Sequence, residues 1–289
     1  MKRTLQVFST GPLALVQDLG RPGHAHVGVP PSGALDVPAL RLANRLVGNA
    51  EHLAGIESLL GGLAVRAHSS CTVAVTGPVV PVQVDGRPVG SHVPVHLAGG
   101  RTLTIGTPTA GLRCYLAVSG GIDVEPELGS RSRDTLSEIG PAPLAVGDLL
   151  PLGEGDGIPT GQDELAPPCP PAELLVPVSL GPRDDWFEDP AGRLAGYWTV
   201  TPESNRVGLR LNGEPLRRRA DRTGAELPSE GVLTGAIQVP PSGLPVVFLA
   251  DHPTTGGYPV AGVVAGSALP ALAQARPGTR LRFRPRPVG

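Results

Sequence analysis

The chain is almost without lysine. Lys2 is the only one among 289 residues, so nearly every cation is an arginine. A P-loop needs a lysine after its glycine run, and a Schiff-base mechanism needs a buried one; neither has a residue to use. The chain also lacks an attachment lysine for a covalent biotin or lipoyl group. Any phosphate it holds must meet arginine, backbone N–H groups, hydroxyls or a metal. Cysteine is scarce as well: Cys71, Cys114 and Cys169 are odd in number, widely spaced and free of any C-x-x-C. That argues against a zinc cage or a disulfide framework and fits a reducing, cytoplasmic setting. The opening MKRTLQVFSTG has no apolar core, so no secretory leader is expected there. No run approaches the length of a membrane-spanning helix. Aromatics make up 3% of residues, so the core must be aliphatic.

What is present is β-like. Forty glycines and 34 prolines, about a quarter of the chain, break a 40% hydrophobic sequence into short Val- and Leu-rich runs. Such runs, spaced by Asp85-Gly86, Gly99-Gly100 and Ser119-Gly120-Gly121, read as strands and turns. A net charge of −2 gives no reason to expect a nucleic-acid or membrane surface. Arg217-Arg218-Arg219 reads as a solvated turn. We expect a first β unit over 1–152 with a helical insertion, a Gly/Pro/acid-rich linker over 153–172, and a second β unit over 173–289. Asp36 followed by Val37-Pro38 marks a helix start, and Gly48-Asn49 its end. A further short helix is expected over 50–60 and another over 267–274 capped by Ser267.

The candidate chemistry lies at strand ends. The run Val246 to Ala250 feeds Asp251-His252-Pro253-Thr254-Thr255-Gly256-Gly257-Tyr258, an acid, an imidazole, hydroxyls and two glycines on one rigid support. Glycines there allow a positive φ and an anion-holding nest of N–H groups. Asp18 and Arg21 share a turn, Ser32 and Asp36 flank the first helix, and Asn44 and Glu57 fall on the expected helices. Turn salt bridges, capping and solvated faces are the plain alternatives for these. His24/His26 and His92/His96 do not make a convincing metal set.

The joint pattern resembles the family of the 5-oxoprolinase C subunit, the KipA or allophanate hydrolase subunit 2 group, and is similar to the carboxyltransferase part of urea carboxylase. The stretches that carry it are LVQDLGR (15–21), GVPPSGALD (28–36), LANRLVGN (42–49), IESLLGG (56–62), VTGP (75–78), YLAVSGGIDV (115–124), LGSRS (128–132), GDLLPLG (147–153), SNRVGLRLNG (204–213), GAIQVPPSGLPVVFLADHPTTGGYPVAGVV (235–264) and AQARPG (273–278). They cover almost the whole chain. The chain departs from the family at Ser132-Arg133 and over 139–143, so any phosphate or carboxylate contact of that loop is not carried over. The resemblance implies a mainly β fold of two cyclophilin-like β-barrel units with a few short helices. It implies one component of an enzyme that opens 5-oxo-L-proline to L-glutamate by phosphorylating the lactam oxygen. ATP with Mg²⁺, a KipI-like partner protein and a LamB/YcsF-like partner protein would complete it. On that reading Asp251, His252, Asp18 and Arg21 are the catalytic candidates. Ser32, Asp36, Asn44, Asn205, Arg206, Gln238, Thr254, Thr255, Gly256, Gly257 and Tyr258 are the substrate or nucleotide candidates. The alternatives are a carboxyltransferase for urea or a related amide served by a separate biotin carrier, and a regulator that binds a KipI-like kinase inhibitor.

Overall fold

A computed structural model describes residues 3–155, 157–159 and 173–286. The chain divides into two compact units. The first takes the chain up to Arg21, then Ser32–Asp134 and the segment from Glu138. The second takes Pro22–Pro31, Thr135–Ser137 and the described chain from Glu173. Most of the linker expected over 153–172, with Cys169, lies outside the described residues.

The described residues of the first unit form eleven strands: β1 (Thr4–Thr10), β2 (Leu13–Gln17), β3 (Gly55–Leu59), β4 (Leu63–Ala67), β5 (Cys71–Thr76), β6 (Val82–Val84), β7 (Arg87–Val89), β8 (Val95–Leu97), β9 (Thr102–Ile105), β10 (Arg113–Val118) and β11 (Leu149–Pro151). They build a six-stranded sheet, β11-β1-β4-β9-β6-β7, and a five-stranded sheet, β2-β3-β10-β5-β8. Alternate residues of both sheets, including Leu5, Val7, Val65, Leu103, Ile56, Val73 and Leu116, enter one shared core. Helix α1 (Val37–Leu46) starts as the sequence implies: the Asp36 carboxylate accepts from the Ala39 N–H at 3.2 Å, and Pro38 needs no partner in the first turn. Its Ala43, Leu46 and following Val47 pack on Ala74 and Ala117, and its Ala39 and Leu40 pack on Tyr115.

The helix expected over 50–60 is absent. Those residues turn and then form β3, which pairs with β2 on one side and β10 on the other. A central strand covered on both faces loses the alternation that marks a strand, and Glu57 in its middle imitates a solvated helix position.

The second unit closes a seven-stranded barrel, β12-β19-β16-β17-β14-β13-β20, from β12 (Glu173–Leu180), β13 (Trp198–Val200), β14 (Gly208–Gly213), β16 (Ala236–Gln238), β17 (Val246–Phe248), β19 (Val260–Val264) and β20 (Arg280–Arg286). A separate two-stranded ladder joins β15 (Glu230–Gly231) to β18 (Thr255–Gly256). The seam is a parallel pairing of β12 with β20. Both strands alternate cleanly: Leu174, Val176, Val178, Leu281 and Phe283 point inward, while Arg280 and Arg282 lie over the Tyr197 ring at 4.3 and 4.9 Å. Helix α2 (Pro190–Leu194) is capped by Asp189, as its Asp-Pro start implies. Helix α3 (Leu269–Ala273) is shorter than expected and begins from a 3₁₀ turn at Gly266–Ala268, so Ala268 and not Ser267 stands at its start. Among the described residues no helix is long and apolar enough to cross a membrane.

Candidate functional site

Strand β17 delivers the 251–258 loop as the sequence suggests, but the loop's root and tip differ sharply. Asp251 at the root is fully buried. Its carboxylate accepts from Arg206 Nε at 2.8 Å and Nη2 at 3.1 Å, and from the Thr135 N–H at 2.9 Å and hydroxyl at 2.7 Å. Arg206 is itself 3% exposed. Burial pushes the Asp251 carboxyl up, but the Arg206 charge, its hydrogen bonds and those of Thr135 outweigh that and hold it below the usual carboxylate range. Asp251 therefore ties three distant pieces of chain together as an anion.

His252 is also buried. The Pro253 carbonyl faces Nδ1 at 2.7 Å and the Thr234 hydroxyl faces Nε2 at 3.1 Å. A carbonyl can only accept, so Nδ1 is the donor, and in the neutral ring Nε2 accepts from Thr234. The ring stacks on Phe248, with centroids 5.7 Å apart. Thr254 anchors Val232 through its carbonyl, and Thr255 and Gly256 run as β18.

Neither Gly256 nor Gly257 has a positive φ, so the nest expected from them does not form. The reason for glycine at 256 is room. A Cβ there would stand 2.4 Å from Gln238 Nε2, which donates to the Tyr258 carbonyl at 3.1 Å. Gln238 thus braces the tip from below. Asn205 is exposed and caps its own turn by accepting from Val207 and Gly208. At the tip, Gly257 and the half-exposed Tyr258 line a cavity of about 830 Å³ whose other lining residues include Arg217 and Arg218. The Arg217–Arg219 stretch is accordingly more than a solvated turn, because Arg218 and Arg222 sit over the buried Trp186 ring at 5.5 and 5.3 Å.

In the first unit, Asp18 accepts from the Ser130 and Ser132 hydroxyls at 2.6 and 2.5 Å, from the Arg131 N–H at 2.7 Å and from the Gly20 N–H at 2.8 Å. This gives the LGSRS stretch its physical meaning: it wraps the Asp18 carboxylate. Arg21, 2% exposed, donates to the carbonyls of Glu127 and Ser132. Ser32 donates to the Arg133 carbonyl from a left-handed backbone position. Asn44 is not on a solvated face; it is fully buried, donating to the Leu53 and Glu51 carbonyls and accepting from Asn49. These residues hold turns together.

Sequence reasoning missed a buried cluster around Glu57. The Tyr115 hydroxyl donates to Glu57 at 2.7 Å and accepts from the Asp36 N–H at 2.8 Å, while Glu57 also accepts from the Leu35 N–H. Arg113 Nε stands 3.5 Å from Glu57. Burial, then the Glu57 and Asp36 carboxylates, push the Tyr115 phenol well above its ordinary value. Thr135 was missed too, since nothing local links it to Asp251.

The donor set does not suit a Mg²⁺ held by Asp18 or Asp251, because the oxygens of both are spent on internal donors. Nor do Arg21 and Arg206 offer open guanidinium faces for a phosphate. Among the described residues no group of three or more His, Cys, Asp or Glu could hold a metal.

The carboxyltransferase domain, subdomain A and B, model matches residues 27–285. The chain belongs to that family. Within it, the chain is 36% identical over 292 residues to the C subunit of 5-oxoprolinase from Escherichia coli, covering 96% of this chain and 90% of that one. It is 33% identical over 307 residues to the urea amidolyase of Saccharomyces cerevisiae, of which it spans only 16%. Among solved structures, the protein TTHA0988 superposes with a TM-score of 0.88 at 34% identity, over 98% of this chain and 56% of that one. The urea carboxylase of Kluyveromyces lactis gives 0.92 at 30% identity, over 99% and 28%.

Proposed function

We propose that this chain is the C subunit of an ATP-dependent 5-oxoprolinase. The observation that carries the reading is the match to the 5-oxoprolinase C subunit of E. coli, which runs through nine-tenths of that relative. A five-membered lactam is stabilised by amide resonance and resists water. Phosphorylation of its oxygen makes that oxygen a leaving group, and such transfer depends on positioning and charge neutralisation. ATP with Mg²⁺ supplies the phosphoryl group in the assembled complex with the KipI-like and LamB/YcsF-like proteins. This chain's part is a rigid support. Asp251, Arg206 and Thr135 fix the loop root, His252 is held by Thr234 and Pro253, and Gln238 braces the Gly257–Tyr258 tip at the rim of the cavity. Of the candidate set, we assign contact with a small molecule to the tip, because Gly257 and Tyr258 line that cavity. A cytoplasmic location accords with this chemistry.

Co-purification of the three proteins followed by ADP release tests the reading. We expect release that depends on 5-oxoproline and on all three chains, with glutamate formed in step. A folded three-chain complex that hydrolyses no extra ATP with 5-oxoproline refutes it. The similarity to urea carboxylase favours one second reading, carboxyl transfer to an amide from a separate biotin carrier. Urea-dependent consumption of carboxybiotin by the same preparation would establish that instead. A stable complex with the KipI-like protein that lacks both activities would point to a regulator.

A further inference from the structure

We propose that the cavity beside the loop tip is a binding pocket for a small organic oxyanion, with Arg218 as its anchoring donor. The inference stands on the second unit's geometry and does not require the oxoprolinase reading. At about 830 Å³ the cavity lies within the range of small-molecule sites. A bare phosphate or carboxylate would leave most of it empty. Leu216, Pro240 and the Tyr258 ring give it apolar walls for an organic body, while Arg217, Arg218 and Glu226 supply its charge.

Arg218 is restrained in ways that suit it to hold an anion. Its guanidinium lies 5.5 Å from the centre of the Trp186 ring, and that ring is buried and so fixed in place. Its Nη1 donates to the Ala225 carbonyl at 3.0 Å. Its Nε–H is shielded from water and makes no hydrogen bond. That buried edge holds the side chain in place and does not itself reach the cavity. A planar guanidinium already fixed by stacking and one tether presents its remaining edge to a carboxylate or phosphate with little further ordering. Arg217 adds a second cation on the same lining. Glu226 sets a limit: it repels a second anionic group, so the favoured ligand carries its charge at one end, facing the arginines, and its uncharged body toward Tyr258.

The segment 217–226 carries four arginines against one aspartate and one glutamate, and Arg219 is paired with Asp221 at 3.3 Å. That makes Arg219 an internal control: it is cationic and nearby, but it does not line the cavity.

The experiment uses the full chain and its intrinsic fluorescence, because Trp186 lies under Arg218. The protein is titrated separately with 5-oxoproline, ATP without metal, inorganic phosphate and acetate, with calorimetry as a second readout. We expect saturable, salt-weakened binding of at least one organic anion, tighter than phosphate or acetate; which of the first two binds separates a carboxylate from a phosphate ligand. Arg218→Gln and the exposed Arg217→Gln should each weaken it about tenfold or more, while Arg219→Gln should not. Unchanged melting of Arg217→Gln guards against a folding artefact. No saturation by any of the four up to about 10 mM overturns the proposal, that being weaker than the millimolar affinities of the poorest specific sites. Wild-type affinity in both Arg217→Gln and Arg218→Gln, or phosphate binding as tightly as the organic anions, overturns it as well.

Discussion

Replacing Asp251 by Asn removes one charge and almost no volume, and the structure says what that should do. Arg206 would remain 3% exposed with its carboxylate partner gone. Breaking a buried pair from one side costs about 3–5 kcal/mol, because the surviving charge stays desolvated. The amide also replaces one acceptor oxygen with a donor, so at least one of the bonds from Arg206 or Thr135 becomes a clash of donors. Both tryptophans, Trp186 and Trp198, belong to the second unit, so tryptophan fluorescence during urea unfolding reads that unit alone. With a slope of about 2 kcal/mol per molar urea, a loss of about 4 kcal/mol moves the midpoint down by about 2 M. Arg206→Lys should fall between, since an ammonium restores the charge but not the two-pronged contact. Joint replacement by Arg206→Met and Asp251→Leu should recover part of the loss of Asp251→Leu alone. The pH dependence follows from the lowered folded pKa: the contribution is complete above the unfolded carboxyl value near 4 and is lost as pH falls through the folded one. A loss under about 1 kcal/mol, the scale of a solvent-exposed pair, would refute the reasoning.

Tyr115→Phe should cost about 1–3 kcal/mol, because it strips a donor from buried Glu57 and an acceptor from the Asp36 N–H; faster amide exchange in α1 would report it. The raised pKa of Tyr115 predicts a first unit whose stability holds below about pH 10 and declines as pH rises beyond it, readable by far-UV dichroism. Gly256→Ala should push Gln238 aside and loosen the 255–258 tip at a cost of about 0.5–1.5 kcal/mol, with Gln238→Ala relieving the clash; unchanged exchange at Tyr258 in the single variant would count against this. Burial pushes the Cys71 thiol up to about 11 against the opposing charge of Arg3, so native protein at about pH 8 should leave Cys71 unalkylated while urea exposes it, as mass spectrometry can show.

The parts of this fold that could be read in advance are those whose causes are local. Asp36 and Pro38 announce α1 because capping and the first-turn proline act within a single turn. The β character of the chain shows because Gly and Pro break its apolar sequence into short runs within a few residues. The membership of 251–258 in a loop at a strand end follows from an apolar run meeting Gly and Pro. What failed was non-local. Glu57 looked like a helix surface because its partners Tyr115 and Arg113 lie far along the chain. Asp251 looked like a reactive acid because Thr135, 116 residues earlier, could not be seen to saturate it. Gly256 was credited with a special backbone angle when its role is to clear space for Gln238.

The scarcity of lysine and the scarcity of aromatics turn out to bear on each other. Among the described residues, the buried ion pairs use arginine: Arg206 with Asp251 and Arg113 with Glu57. A guanidinium is more weakly hydrated than an ammonium and spreads its donors in a plane, so it tolerates burial against a carboxylate where a lysine would tend to shed its proton. The same planarity lets arginine cover the few rings present: Arg66 over Phe8, Arg280 and Arg282 over Tyr197, Arg218 and Arg222 over Trp186. Two of these rings, Phe8 and Tyr197, are exposed and only Trp186 is buried, so the arginines mainly cover rings that the aliphatic core leaves at the surface. The consequence for function is selective. Arginines pinned by a carboxylate, such as Arg206, are committed to structure, whereas one pinned by a ring, such as Arg218, keeps its charge unanswered and its edge available. The cationic chemistry of this chain should therefore be sought at an arginine held by a ring with no ion pair of its own, as Arg218 is, and not at Arg222 or Arg282, which meet Asp221 and Glu173 as well as a ring.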